Sequence, residues 1–228
     1  MELERRGESH GARMVSVRLY NPFHSILRTR SNSPFCPRVA PRFTSLTLRR
    51  SLHSWKLVAS MEAPPHGYRP NVGICLVNPS NKIFTASRLD IPGAWQMPQG
   101  GVDEGEDVRV AALRELREET GVTSAEIIAE VPYWLTYDFP LEVREKLNKQ
   151  WGSDWVGQAQ KWFLIKFTGK EEEINLLGDG SEKPEFGEYS WMAPEQVIER
   201  AVEFKKPVYE EVLKHFGPHL KSDSKTDV

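Results

Sequence analysis

The chain contains 228 residues, of which 39% are hydrophobic and 27% are charged, a composition typical of a globular protein that buries a core. No apolar run is long enough to cross a membrane, so we expect no membrane association. The two cysteines, Cys36 and Cys75, are too far apart for a close-spaced metal pair, which argues against a zinc knuckle and a disulfide framework.

The net charge of −2 hides two segments of opposite charge. Residues 1–60 contain eleven Lys or Arg and three Asp or Glu, whereas residues 61–228 contain 19 basic and 29 acidic residues, a net charge of −10. The first segment is rich in Arg and Ser and has no Asp or Glu from Ser9 to Met61, which is typical of an organelle transit peptide. We therefore expect residues 1–60 to be a disordered transit peptide.

A basic arm that binds nucleic acid is the alternative for this segment, although the scattered arginines and many hydroxyl residues favour the transit peptide. Three glutamates near the N-terminus are unusual in such a peptide, so Met14 is an alternative start and Met61 is the start of a shorter alternative product. We expect import into the plastid (chloroplast), with the mitochondrion as the alternative and the cytosol for a product that begins at Met61.

From Tyr68 onward, apolar and β-branched runs predict strands, and apolar residues spaced by three and four predict helices. The predicted strands are Asn71–Val77, Ile83–Ser87, Ile127–Thr136, Trp162–Phe167 and Tyr189–Met192. The predicted helices are Asp107–Thr120, Leu141–Gln150, Pro194–Ala201 and Pro207–His215, with a loop over residues 93–105 and a polar tail over residues 221–228. This mixture predicts an α/β or α+β sandwich, with helices on the faces of a mixed sheet.

The segment from Gly100 to Val122 is a glycine-rich loop followed by a helix that carries three glutamates. The spacing of Glu115, Glu118 and Glu119 places their carboxylates on one face of the helix. Carboxylates this close repel each other, and such hard oxygen ligands suit Mg²⁺, which keeps several waters and shares phosphate oxygens. The simpler interpretation is a solvated acidic helix face that pairs with neighbouring arginines.

Nine positions in this segment match the Nudix box, which argues against the simpler interpretation. They are Gly100, Glu106, Arg114, Glu115, Leu116, Glu118, Glu119, Gly121 and Val122. The segment thus resembles the Nudix hydrolase family. The resemblance implies the fold class α/β and the architecture of a Nudix α/β/α sandwich with a mixed β-sheet between helices. It also implies that residues 61–220 form the hydrolase domain, with Mg²⁺ as cofactor and Mn²⁺ as a substitute.

The resemblance also implies roles for residues of the box. Glu115, Glu118 and Glu119 look like the metal ligands, and Arg114 would orient Glu115 or Glu118. Gly100 and Gly121 would allow turns where a Cβ would clash. Glu106 is expected to be a structural carboxylate at the helix start, where it complements the helix dipole.

The base that activates water is a separate question, because a metal-bound glutamate is a poor base. Glu118 and Glu119 are candidates within the box. A carboxylate outside it is more suitable, and we choose Glu185 as extra metal ligand or base, with Glu188 as the alternative. Since the body of the chain is acidic and a polyphosphate is anionic, we expect bound cations to supply the attraction.

Further segments resemble the plant and bacterial branch of the family that hydrolyses dinucleoside polyphosphates, whose bacterial members include RNA 5′-pyrophosphohydrolases. These segments are residues 95–101 and 133–140. Residues 151–155 and 158–163 resemble the plant asymmetric diadenosine tetraphosphate hydrolases. The whole resemblance covers about residues 67–220.

A substrate with two nucleosides needs aromatic surfaces for its bases and cations for its phosphates, and stacking contributes about 1–3 kcal/mol per base. Tyr137 and Phe204 are our stacking candidates, with core packing as the alternative for each ring. Arg88 and Lys161 are candidate phosphate clamps. Gln99, next to the first glycine of the box, either contacts a phosphate or closes the loop.

Three functions compete. We expect asymmetric hydrolysis of diadenosine tetraphosphate to ATP and AMP. The alternative is removal of pyrophosphate from guanosine tetraphosphate or triphosphorylated RNA 5′ ends, although RNA favours a basic channel that the acidic body does not suggest. A non-catalytic nucleotide-binding module would have a degraded box. We therefore expect a small-molecule nucleotide partner and no stable nucleic-acid complex; the sequence leaves open the oligomeric state and the number of metal ions.

Overall fold

The computed structural model describes residues 59–60, 63–178, 180 and 183–220. The predicted transit peptide, apart from its last two residues, and the predicted polar tail over residues 221–228 lie outside the described residues. Within the described part of the chain, no helix is both long enough and apolar enough to span a membrane.

Nine strands and four α-helices form the described part of the chain. The strands are β1 (Ala59–Ser60), β2 (Tyr68–Val77), β3 (Ile83–Arg88), β4 (Trp95–Gln96), β5 (Gln99–Gly101), β6 (Ala125–Glu130), β7 (Trp134–Asp138), β8 (Gly157–Phe167) and β9 (Phe186–Met192). The helices are α1 (Val108–Thr120), α2 (Leu141–Trp151), α3 (Pro194–Arg200) and α4 (Lys206–Leu220), with short 3₁₀-helices at Glu171–Glu173 and Glu203–Lys205.

The strands form one mixed sheet in the order β1-β7-β8-β2-β3-β4, while β5, β6 and β9 pair with β2, β8 and β3. The central pair, β2 and β8, is parallel from Tyr68 opposite Gly157 to Val77 opposite Lys166. The other strand pairs are antiparallel. The mixed sheet predicted from the sequence is therefore confirmed.

Alternation along β2 divides the core between the two faces of the sheet. Val72, Ile74 and Leu76 pack in one cluster with residues of α1. Cys75 and Val77 pack in a second cluster with residues of α3 and α4. Helices thus cover both faces, which confirms the α/β/α sandwich.

Two local predictions were wrong. The single strand predicted over Ile127–Thr136 is two strands, β6 and β7, which both pair with β8. Pro132 lies in the interruption, where a residue without an N–H cannot donate to the sheet. The loop predicted over residues 93–105 contains β4 and β5, because pairing with β3 and β2 makes strands of segments that have little strand propensity of their own.

Candidate active site

Strand β5 brings the glycine-rich segment against α1. Gly100 lies opposite Val72 of β2, on the face that carries α1. A Cβ at Gly100 would lie 1.8 Å from Oε2 of Glu115, which is far inside contact distance. A side chain here would displace the fully buried carboxylate of Glu115, which lies directly against the strand because position 100 is glycine.

Arg114 joins the carboxylates of the box. Its Nε and Nη2 donate to the two oxygens of Glu106 at 2.7 and 2.6 Å. Its Nη1 donates to Oε1 of Glu115 at 3.0 Å and to Oε2 of Glu118 at 3.1 Å. The hydrogen bonds with Glu106 are the main reason that the pKa of Arg114 is raised. Arg114 therefore contacts both of the glutamates named as its alternatives.

The N-terminal cap of α1 is Asp107 rather than Glu106. The Asp107 carboxylate accepts hydrogen bonds from the backbone N–H groups of Arg109 and Val110. The Glu106 carboxylate instead accepts from Arg114 and from the backbone N–H of Asp103. Glu106 thus stabilises the loop through Arg114, and its expected interaction with the helix dipole stays a prediction.

The other end of the box is held by backbone contacts. Gly121 caps α1 in a left-handed conformation (φ 72°), and its N–H donates to the Arg117 carbonyl. The backbone N–H of Gln99 donates to Oε2 of Glu119 at 3.0 Å. This hydrogen bond fixes the third glutamate of the helix to β5.

A cavity of about 330 Å³ opens beside this helix and strand. Its lining brings together four glutamates, four basic residues and several aromatic rings. The glutamates are Glu115, Glu118, Glu119 and Glu185, and the basic residues are Arg69, Arg88, Lys183 and Lys205. Of the predicted site residues, Gln99, Tyr137 and Phe204 also line it. The acidic helix of the box therefore shares one cavity with cations drawn from distant parts of the sequence.

Arg88 and Glu185 form an ion pair on the cavity wall, with 2.5 Å between Nη1 and Oε2. Asp90 accepts two further hydrogen bonds from the same guanidinium, at 2.7 and 2.9 Å. Arg88 is largely buried, and its pKa is raised by these carboxylates even though burial opposes the shift. Glu188, the alternative to Glu185, does not line the cavity.

Lys205 is a buried cation whose Nζ donates to the side-chain oxygens of Gln96 and Gln99, both at 2.9 Å. Burial, reinforced by Arg88, lowers the pKa of Lys205 to about 7. Gln160 also donates to the Gln99 side chain, at 3.2 Å. The Gln99 side chain therefore lies in a buried polar cluster, while its backbone holds Glu119.

Tyr137 and Phe204 lie together, with ring centroids 5.6 Å apart. Tyr137 is only 4% exposed, contacts Phe139 as well, and donates from its hydroxyl to Gln158. Burial raises the pKa of Tyr137. Phe204 is partly exposed and lines the cavity. Of the two rings predicted to stack on a base, Phe204 therefore has more accessible surface than Tyr137.

Lys161 lies apart from the other predicted residues. It occupies the register position opposite Val72, on the face that carries α1, and it does not line the cavity. Its Nζ lies 4.0 Å from Oε1 of Glu130. This position gives no support to a contact between Lys161 and a phosphate.

Several residues that line the cavity were not predicted from the sequence. Arg69 precedes Asn71 by two positions, so strand alternation could have placed both on the same face. Trp151 and Trp155 lie in a segment that the resemblance had already singled out. Lys205 gave no signal, because a lysine in a charged, helix-like stretch is usually solvated.

The box carboxylates suit a divalent cation by their chemistry. Within the part of the chain that the structure describes, no three acidic, histidine or cysteine side chains converge into a ready-made metal cluster. Mg²⁺ does not require one, because it keeps waters and takes further oxygens from a substrate. Hard oxygen donors at Glu115, Glu118 and Glu119 on the wall of one cavity fit such an ion.

Comparison with known proteins gives sequence relatives of high identity and solved structures of low identity. Nudix hydrolase 26, chloroplastic, from Arabidopsis thaliana is 73% identical over 172 residues, which cover 75% of this chain and 80% of that protein. An RNA pyrophosphohydrolase from Cereibacter sphaeroides is 49% identical over 156 residues, which cover 67% of this chain and 93% of that protein. An Ap4A hydrolase binary complex from C. elegans is 18% identical with a TM-score of 0.46, covering 65% of this chain and 98% of that one.

The family model of the NUDIX domain matches residues 67–212, which is well over half of the chain. This range contains the glycine-rich segment, α1, and all the glutamates that line the cavity. The chain therefore belongs to the Nudix family of hydrolases.

Proposed function

We propose that this Nudix hydrolase is a Mg²⁺-dependent enzyme that cleaves dinucleoside polyphosphates, and that it hydrolyses diadenosine tetraphosphate asymmetrically to ATP and AMP. Mn²⁺ is the expected substitute metal. The observation that carries the proposal is the single cavity in which the glutamates of α1 lie with basic and aromatic residues. Such a lining has partners for each part of the substrate: cations and a metal for phosphates, and rings for bases.

In this proposal Glu115, Glu118 and Glu119 hold the metal. A bound divalent ion would neutralise phosphate charge and lower the pKa of an attacking water. Arg114 keeps Glu115 and Glu118 in place, and the backbone of Gln99 does the same for Glu119.

Glu185 is the proposed base or additional ligand. Glu185 lies in the segment just before β9, far from α1 in sequence, and it lines the same cavity as the box glutamates. It can therefore act independently of them. The ion pair with Arg88 holds its carboxylate at the cavity wall, and Asp90 in turn fixes Arg88. A base held in this way accepts the water's proton without a large side-chain rearrangement.

The phosphates are proposed to bind near Lys205 and Arg88. Two buried amide nitrogens in the cavity lining, Nδ2 of Asn71 and Nε2 of Gln96, have no hydrogen-bond partner among the described residues. Unpartnered buried donors are costly, and phosphate oxygens are suitable acceptors for them. These groups supplement the attraction that the acidic body of the chain lacks.

Removal of pyrophosphate from triphosphorylated RNA 5′ ends or from guanosine tetraphosphate is the second candidate. The 49% identity to an RNA pyrophosphohydrolase favours it. The four basic residues of the cavity also reduce the repulsion of RNA phosphates that the net negative charge of the domain would cause.

The two candidates are separated by kinetics of the full-length protein with Mg²⁺. Diadenosine tetraphosphate, guanosine tetraphosphate and triphosphorylated RNA are offered separately, and kcat/KM is compared. We expect the highest value for diadenosine tetraphosphate, with ATP and AMP as its products. An equal or higher value for the RNA would reject the first candidate in favour of the second.

Variants test the site itself. We expect Glu118→Gln and Glu185→Gln to lower kcat/KM by roughly 100-fold, since each removes a group aimed at the reaction centre. Glu188→Gln is the matched control, because Glu188 is exposed and lies outside the cavity. Full activity in Glu118→Gln would refute the metal assignment.

We also propose import into the plastid. The support is the Arg-rich, acid-poor composition of residues 1–60, together with 73% and 70% identity to two Arabidopsis Nudix hydrolases that are named chloroplastic.

A further inference from the structure

Five residues that line the cavity form a lobe that comes largely from α2. This lobe, which we call the aromatic lobe, consists of Phe139, Val143, Leu147, Trp151 and Trp155. It lies in the same cavity as the glutamates of α1. None of its five residues has a role in the hydrolysis described above.

The two tryptophans of the aromatic lobe retain accessible surface. Phe139 and Leu147 are 8% and 3% exposed, whereas Trp151 and Trp155 are only partly buried. The Trp151 ring lies 6.2 Å from the Phe139 ring, and the Arg69 guanidinium lies 5.0 Å from the centroid of the Trp151 ring. Indole surface therefore borders the cavity next to a cation.

The turn that carries Trp155 is held by its own hydrogen bonds. Asn148 of α2 donates from Nδ2 to the Trp155 carbonyl at 3.0 Å and accepts from the Ser153 hydroxyl at 3.0 Å. Gly152 ends α2 in a left-handed conformation (φ 63°), and the Val156 N–H donates to the Gly67 carbonyl. These hydrogen bonds fix the backbone that carries Trp155, so this backbone needs little reordering when a ligand binds.

The aromatic lobe is separated from the polar cluster around Gln99. Gln160 of β8 contacts Gln99, and β8 begins three residues earlier at Gly157, just after the turn with Trp155. Three strand residues span roughly 10 Å. Phe204, beside Lys205, is a partly exposed ring near the polar cluster, as is Trp95 beside Gln96. Tyr137 contacts both Phe204 and Phe139, so ring contacts run from Phe204 to the aromatic lobe, with the partly exposed Phe204 and Trp151 at the two ends.

We propose that the aromatic lobe is a second nucleobase subsite, in which Trp155 and Trp151 stack on one base of a dinucleoside polyphosphate while the polyphosphate runs towards the glutamates of α1. This inference rests on the proposed dinucleoside polyphosphate hydrolysis and names where its second base binds. A mononucleoside polyphosphate leaves the lobe empty.

The test compares diadenosine tetraphosphate with adenosine tetraphosphate, which has the same number of phosphates and one base. Trp155→Leu and Trp151→Leu keep apolar bulk but remove the ring. We expect each to raise KM for the dinucleoside about tenfold and to change KM for the mononucleoside by less than about twofold. Trp155→Phe, which restores an aromatic face, is expected to recover most of the affinity.

Trp191→Leu is the matched control, because Trp191 is partly buried in the core cluster of the α1 face and does not line the cavity. Equal KM changes for both nucleotides in the Trp155 variants, or no change for either, would overturn the proposal. A loss confined to triphosphorylated RNA would overturn the assignment to a dinucleoside. The wild-type rate with diadenosine tetraphosphate separately reports whether the proposed function itself holds.

Discussion

At Gly100, β5 lies directly against the Glu115 carboxylate of α1. The absence of a side chain allows the Glu115 carboxylate to lie against the strand, where it is also hydrogen-bonded by Arg114. A buried carboxylate held this firmly is pre-positioned, and catalytic groups lose activity steeply when they move by about 1 Å. The role of the glycine is therefore to make room rather than to make a turn.

Replacing this glycine tests that role. A Cβ 1.8 Å from Oε2 forces Glu115 away, so we expect Gly100→Ala to lower kcat/KM by about 100-fold and to raise the Mg²⁺ concentration needed for half-maximal activity. Gly217→Ala in α4 is the control, since no heavy atom lies within 4 Å of its new Cβ. Wild-type activity in Gly100→Ala would show that Glu115 need not occupy this position.

The lowered pKa of Lys205 predicts that kcat/KM depends on pH. Burial first, and then Arg88, lower the pKa of this lysine to about 7, while nearby carboxylates raise it. These carboxylates are Glu185, Glu119 and Asp90. Below this pKa the side chain is an ammonium ion that attracts phosphate, and above it the side chain is neutral.

We therefore expect kcat/KM to fall by about tenfold from pH 7 to about pH 8.5, because this ratio reports ionisations of the free enzyme. Lys205→Arg keeps its charge over this range and should abolish the decline, as should Lys205→Met at a lower overall rate. A decline that persists unchanged in both variants would assign it to another group.

At the scale of the elements, α1 and its glutamates are the part that could be predicted from the sequence. Helical periodicity places Glu115, Glu118 and Glu119 on one face, and the box gives their register with Gly100. The C-terminal parts of the central pair, Asn71–Val77 and Trp162–Phe167, could also be predicted from their apolar runs, whereas the polar start of β8 was not predicted. These features depend on residues that are close in sequence.

The remaining elements depend on contacts that are distant in sequence. Strand β5 exists through pairing with β2, about 30 residues away, and its glycines carry no strand propensity. Lys205 reaches Gln96 and Gln99 across more than 100 residues. Lys161 illustrates the opposite error: its charge suggested a clamp, while its position in β8 directs it to the face that carries α1.

At the scale of the whole molecule, the basic segment proposed to direct import and the acidic hydrolase domain occupy different parts of the sequence. The basic residues concentrated in positions 1–60 lie outside the matched domain at 67–212. We expect a fusion of residues 1–60 to a fluorescent protein to enter plastids in plant cells. Changing its arginines to glutamine should leave the fusion in the cytosol, because import peptides of this kind depend on basic residues. Diffuse fluorescence from the unaltered fusion would contradict plastid import.

The register of β5 against β2 couples the side chains on the two faces of the sheet. The three residues of β5 alternate, so that Gln99 joins the polar cluster on the face of the sheet opposite α1, while Gly100 meets Glu115 on the face that carries α1. A slip of one residue in the pairing with β2 would turn each side chain to the opposite face. The glutamine would then be driven into the carboxylate and the glycine would leave the polar cluster without its acceptor. One error in the register would thus disturb both the Glu115 carboxylate and the polar cluster around Gln99.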